Sequence, residues 1–245
     1  MRALSAAELL AVWERGVAQS PAQRALTLLA LACAETPVER LAQFSIGQRD
    51  AHLLALRERT FGPQLDNITT CPACGERLEF SVNAADICAA PPAEEPAAAL
   101  RVAHGEFDVQ FRLPNSLDLA TLDPAADGET NRRRLLHGCL LAAQRAGAEV
   151  AAGELPEELV ALIAQRMAEA DPQADVQFAV RCAQCSHAWE APLDIVSYFW
   201  TEIHAWARRI LREVHALASA YGWREADVLA LSPWRRQAYL EMIGQ

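Results

Sequence analysis

The chain has 245 residues, 52% of them hydrophobic, and a formal net charge of −10; that length can bury one large core or two modest ones. The acidity opposes a sequence-independent nucleic-acid role, because binding to phosphates needs a positive field. No apolar run approaches the ~18–20 residues that span a bilayer, and the first residues do not read as a secretory signal.

The first stretch, to about residue 60, reads as a run of capped helices. Ser5 with Glu8 forms a capping box ahead of Leu9-Leu10-Ala11-Val12-Trp13, and Ser20-Pro21 with Gln23 starts the next helix. Thr36-Pro37 with Glu39 repeats the pattern, and Ser45 with Gln48 opens a longer helix that Gly62 ends. A first cysteine pair, Cys71-Pro72-Ala73-Cys74, follows inside a hairpin at about 68–83, with Gly75 supplying a tight turn. Ala89 to Ala99, containing Pro91, Pro92, Glu94, Glu95 and Pro96, reads as a linker. Glu106 to Leu113 alternates as a strand with Phe107, Val109 and Phe111 on one side, and Ser116 begins a short helical turn. Helices are expected over 129–146 and 156–170, with a loop from Gly147 to Gly153. Val176 to Val180 is a strand entering the second pair, Cys182-Ala183-Gln184-Cys185. The longest helix runs from Leu193 to Tyr221 and stops at Gly222; a short helix and a Ser232-Pro233-capped helix through Ile243 finish the chain.

About 107 residues separate the two C-x-x-C pairs, and their flanks match: an extended approach, then a bulky residue followed by Glu. Four thiolates from two such hairpins, Cys71, Cys74, Cys182 and Cys185, suit one structural Zn2+ per chain. Four protein ligands close the coordination sphere, so hydrolysis at the ion is not expected. Seven cysteines, an odd number with three singles (Cys33, Cys88 and Cys139), fit a reducing cytoplasm better than a disulfide framework. Ser186, not glycine, follows the second pair, and His187 reads as a bystander rather than a ligand. A redox C-x-x-C commonly sits at a helix start, where the thiol pKa falls; here strand-like sequence follows both pairs. No phosphate loop, H-E-x-x-H, G-x-S-x-G or dinucleotide fingerprint occurs, so the expectation is a non-enzyme. Arg132-Arg133-Arg134 reads as a solvated helix face near Glu129. The aromatics Tyr198, Phe199, Trp200 and Trp206 nearly encircle the long helix, which makes Trp206, and further on Trp234 and Tyr239, candidates for a partner surface.

The order of features resembles a known family. Leu-Leu-Ala-Val-Trp-Glu-Arg at 9–15 leads to Gly-Gln-Arg-Asp-Ala-His-Leu-Leu-Ala-Leu-Arg-Glu-Arg-Thr-Phe-Gly at 47–62. Cys-Pro-Ala-Cys-Gly-Glu-Arg-Leu-Glu-Phe at 71–80, Phe-Arg-Leu-Pro at 111–114 and Leu-Ala-Leu-Ser-Pro-Trp-Arg-Arg-Gln-Ala-Tyr-Leu at 229–240 complete it. Together they resemble the zinc-ribbon-containing baseplate and tail-assembly proteins of contractile bacteriophage tails and phage-derived extracellular contractile injection systems. The resemblance implies a structural or chaperone-like part at the baseplate or hub, partners among other tail-like particle proteins, no catalytic residues, and a place in the bacterial cytoplasm during assembly. The expected fold is mainly α with small β, helical domains around a split four-cysteine zinc ribbon made of two β-hairpin knuckles. Its expected parts are an N-terminal helical region (1–66), a first knuckle (67–88), a linker, strand and helical insertion (89–174), a second knuckle (175–192) and a C-terminal helical region (193–245). The rival classes are a zinc-ribbon nucleic-acid-associated regulatory module and a C-x-x-C thiol oxidoreductase.

Overall fold

A computed structural model describes residues 1–89 and 92–244. Ala90 and Pro91 of the expected linker, and Gln245 at the end of the expected C-terminal region, lie outside the described residues. Helices α1 (Ala6–Gly16), α2 (Pro21–Ala32) and α4 (Ile46–Phe61) each start from a serine whose hydroxyl accepts from the third helical amide, with the reciprocal bond back from Glu8, Gln23 or Gln48. Each box satisfies donors that a helix N-terminus otherwise leaves orphaned. Helix α3 (Val38–Gln43) departs from the expectation: Pro37 itself holds the cap position, with no side-chain cap bond. Thr36 therefore stands one residue too early to cap.

The chain continues through the antiparallel hairpin β1 (Gln64–Thr70) and β2 (Arg77–Asn83) and a single turn α5 (Ala84–Ile87). A lobe follows, built from β3 (Leu100–His104), β4 (Phe107–Phe111), α6 (Ser116–Leu119), α7 (Gly128–Cys139), β5 (Leu140–Arg145), β6 (Ala148–Glu149) and α8 (Glu157–Ala170). A second antiparallel hairpin, β7 (Gln177–Arg181) and β8 (Ala188–Pro192), leads into the long α9 (Ile195–Tyr221), then α10 (Glu225–Ala230) and α11 (Pro233–Ile243).

Two cores result. The first joins Leu9 and Val12 of α1, Leu28 and Leu29 of α2, Leu53 and Leu56 of α4, Leu65 of β1, and Phe199 and Ile203 of α9. Each fully buried side chain of this kind contributes about 1.5–3 kcal/mol. Helix α9 buries Ile203, Ala207, Ile210, Val214 and Leu217 along one stripe and ends at Gly222, whose φ of 68° is left-handed. Trp200 and Tyr221 of the same helix are half-buried and exposed respectively. Trp200 closes on Gly16, where an added Cβ would stand 2.1 Å from its ring, and the Arg24 guanidinium lies 4.4 Å from the ring centroid.

The second core belongs to the insertion, which is a mixed lobe rather than the helical one expected. Its sheet runs β3-β4-β5-β6, and Leu159 and Ile163 of α8 pack on Val102, Val109, Phe111 and Ala143. Residues 140–145, expected as helix, form β5 instead. Ala143 is set opposite Val109, and Ala146 and Gly147, at φ 50° and 85°, make the two-residue turn that pairs Arg145 with Ala148. Both central residues at positive φ is the signature of a type I′ hairpin, and strand pairing overrides the helix propensity of Leu140 to Ala143. Strand β3, unforeseen, pairs with β4 through the turn at Gly105, φ 58°. The lobe meets the N-terminal helices at the start of α4, where the Ile46 amide donates to the Pro114 carbonyl at 3.0 Å beside a bridge between Ser45 and Asn115, and α6 also lies against α2 and α3.

Candidate metal centre

The two hairpins turn in the same way. Thr70 pairs with Arg77, and Arg181 with Ala188, leaving six residues in each turn. In the first turn the Cys71 amide donates to the Glu76 carbonyl at 2.8 Å and the Gly75 amide to the Cys71 carbonyl at 2.9 Å. In the second the Cys182 amide donates to the His187 carbonyl and the Ser186 amide to the Cys182 carbonyl, both at 2.9 Å. Gly75 has φ 77° and Ser186 φ 61°. Ser186 thus takes the left-handed conformation that glycine adopts without strain, at a cost of about 1–2 kcal/mol for a residue with a Cβ.

These turns bring the four sulfurs together. The Sγ atoms of Cys71, Cys74, Cys182 and Cys185 all lie within 4.8 Å of one another. Cys71 Sγ is 3.6 Å from Cys185 Sγ, and Cys74 Sγ is 3.6 Å from Cys182 Sγ. A tetrahedral ion with thiolate bonds of ~2.3 Å sets its sulfurs roughly 3.8 Å apart, so the donor set fits zinc in both chemistry and spacing. Cys71 and Cys182 are buried, whereas Cys74 and Cys185 are exposed. Among the described residues no other group of His, Cys, Asp or Glu converges in this way. The His187 ring stacks at 6.0 Å on Trp189 and is not part of the group.

Crowded sulfurs cannot all ionise unaided. Burial opposes ionisation of Cys71, but the amides of Ala73 and Cys74 and the neighbouring cysteines bring its thiol down to about 7. The Glu76 amide favours the Cys74 thiolate, yet Cys185, burial, Cys182 and Cys71 together push it up to about 12. The His187 amide and Cys74 act to lower Cys185, and burial with the Cys71 and Cys182 sulfurs raises it on balance. A divalent cation reverses that balance, because it stabilises every thiolate it touches.

The hairpins have little else to hold them. Apart from Leu65, both sheets alternate between half-buried and exposed positions. The described ring contact between them is Phe80 edge-on to Phe178, with centroids 5.4 Å apart. Isolated two-stranded sheets are marginal in water, so a cross-link is what this geometry lacks. Tyr198 anchors the first hairpin to α9 by donating to the Asp66 carbonyl at 3.0 Å, and Arg57 of α4 pairs with Glu202 of α9 at 2.5 Å.

The aromatic candidates separate. Trp206 is half-buried against the core beside Leu10, Ala207 and Ile210. Tyr239 packs edge-on to Trp223, with centroids 4.9 Å apart. Trp234 is 82% exposed. Arg133 pairs with Glu129 one turn away at 3.0 Å, and both are exposed, as the solvated-face reading expects. A cleft between α2, α3 and residues 92–95 is lined by Cys33 and His52. Burial raises the Cys33 thiol and lowers His52, whose Nδ1 lies 2.8 Å from the Gln48 carbonyl.

The family model described as T4 bacteriophage base plate protein matches residues 7–200, well over half of the chain and including both cysteine hairpins. No curated protein and no solved structure matches the chain. No helix among the described residues is long and apolar enough to cross a membrane.

Proposed function

The chain belongs to the T4 bacteriophage base plate protein family, and from that premise we propose that it is a non-enzymatic part of a contractile phage-tail-like particle, acting at the baseplate or hub. One structural zinc, held by Cys71, Cys74, Cys182 and Cys185, staples the two hairpins. The observation that carries this reading is the convergence of four sulfurs from opposite ends of a long insertion, within the span that the family model matches. The ion supplies a cross-link and leaves no position for a reacting water. It stabilises the folded arrangement by on the order of 10 kcal/mol.

The protein either stays in the finished particle or helps to build it as a chaperone; both place its partners among baseplate and tail proteins and its assembly in the bacterial cytoplasm. The cysteines support structure better than redox turnover, because strands rather than helix N-termini follow both pairs. The test is co-expression with the neighbouring tail components and deletion of the gene. A stable complex with one of them and a particle that fails to assemble without the protein are expected. The absence of both a complex and an assembly defect would refute the reading.

A further inference from the structure

We propose that the exposed face of α9 docks against an acidic helix of another protein of the particle, with Arg208 and Arg212 as the pair that reads it. The inference deepens the assembly reading and rests on it.

One side of α9 is buried along the stripe from Ile203 to Leu217. The opposite side exposes Thr201, His204, Arg208, Arg212, His215 and Ser219, a stripe at helical spacing that contains no carboxylate. The two carboxylates of α9 stand to the side and are occupied. Glu202 holds Arg57 at 2.5 Å, and Glu213 meets Arg236 at 2.9 Å and Arg209 at 3.7 Å. Arg208 and Arg212 make no ion pair among the described residues; the Arg212 Nε donates instead to the Arg208 carbonyl at 3.1 Å. The flanking helices supply no partner either. Glu14 is followed by Arg15 on α1, Glu225 and Asp227 follow Arg224 at the start of α10, and none of these carboxylates pairs with an arginine of α9. Like charges one turn apart disfavour a helix. The chain has 32 carboxylates for its 22 arginines, yet it leaves this pair open on an otherwise acidic body.

Charge and chemistry identify the occupant. The stripe presents donors: two guanidiniums set about 6 Å apart along the axis, and the His204 ring. Its Nδ1 accepts from Trp13 Nε1 at 3.0 Å, so the ring proton sits on Nε2. An ionised carboxylate only accepts, and a guanidinium can hold it by two parallel bonds. A helix with carboxylates one turn apart matches the spacing of Arg208 and Arg212. A nucleic acid fits less well, because a body of net −10 repels a long polyanion. A short acidic segment is felt within the ~8 Å screening length. The same net charge disfavours a second copy of the chain.

To test this, the full chain and its variants are co-expressed with the neighbouring proteins of the particle, and the fraction that sediments with the particle is measured. Thermal unfolding confirms that each variant is folded. R208E/R212E is expected to reduce the sedimenting fraction by roughly 10-fold at low salt, a deficit that shrinks as salt rises. R208K/R212K keeps the charge but not the fork, and a loss of only about 3-fold is expected. R132E/R133E, the same charge change on the exposed face of α7, is expected to sediment like the wild type. A folded R208E/R212E variant that sediments like the wild type overturns the proposal alone, as does an equal loss in R132E/R133E. A wild-type chain absent from the particle overturns the assembly reading and this surface together. Sedimentation lost on nuclease treatment assigns the stripe to nucleic acid and overturns the proposal. A wild-type dimer that the R208E/R212E substitution dissolves, with particle binding unchanged, assigns it to self-association and also overturns it.

Discussion

The Asp171 carboxylate caps helix α4 at Gly47, accepting from its amide at 2.9 Å across 124 residues of chain. Ile46 donates to Pro114, Gln48 to the Ser45 hydroxyl and Arg49 to the Ser45 carbonyl, so the first four helical amides are all satisfied, two of them by the insertion. The Gln48 side chain adds bonds to the Glu95 carbonyl and the Ala97 amide. The start of one helix is thus the mount for the whole lobe. A Cβ at position 47 would stand 2.1 Å from the Asp171 carboxylate and 2.8 Å from the Ala174 backbone. Gly47→Ala is expected to cost about 1–3 kcal/mol by overpacking, and Asp171→Ala about 0.5–2 kcal/mol as a lost cap. Urea unfolding checks both. A Gly47→Ala protein as stable as the wild type would show that the lobe is mounted elsewhere.

Gly16 and Trp200 make the second close approach. Gly16→Ala drives a methyl into a ring already covered by Arg24. A loss of about 1–3 kcal/mol is expected, read by thermal or urea unfolding, with Trp200→Leu partly restoring the double variant. An unchanged midpoint would contradict the packing described for α1 against α9.

Ser186 and Ala146 hold left-handed conformations without being glycine. Ser186→Gly and Ala146→Gly are each expected to stabilise the protein by about 1 kcal/mol through relief of strain, and Gly75→Ser to destabilise it by a similar amount. Denaturation of the three single variants checks the sign in each case.

Cys139 supplies a pH dependence. Burial, assisted by Asp118 and opposed by Arg112, pushes its thiol up to about 11. The folded state therefore holds this proton more tightly than the unfolded chain, whose thiol titrates near its ordinary value of 9.0. Stability is unaffected below that value and falls as pH rises between the two, by up to about 2–3 kcal/mol. Cys139→Ala shifts overall stability through its cavity but removes this slope. Equal slopes for the two proteins between those pH values would contradict the assignment.

What the sequence displays locally survives in the fold. The Ser5–Glu8, Ser20–Gln23 and Ser45–Gln48 boxes lie within single turns, and both cysteine turns follow from residues adjacent in the chain. The losses are non-local. Leu140 to Ala143 are good helix formers, and only their pairing with β4 makes them a strand, although Ala146-Gly147 was a readable turn signal. The Asp171 cap has no sequence signature, because the residue it serves is 124 positions away. Ser186 was legible as a departure from glycine, but not as a residue that would adopt the glycine conformation regardless. The helical period separates Trp234 from Tyr239 on α11, yet which face is covered depends on how α11 meets α9.

The most direct test of the account is the metal content of the purified full chain, measured by mass spectrometry of the metal alongside protein concentration. Close to one zinc per chain is predicted, with most of it lost, together with thermal stability, in Cys74→Ser and Cys185→Ser proteins. A folded wild-type chain that stays metal-free when zinc is supplied, or cysteine variants that keep both the ion and the melting temperature, would contradict it.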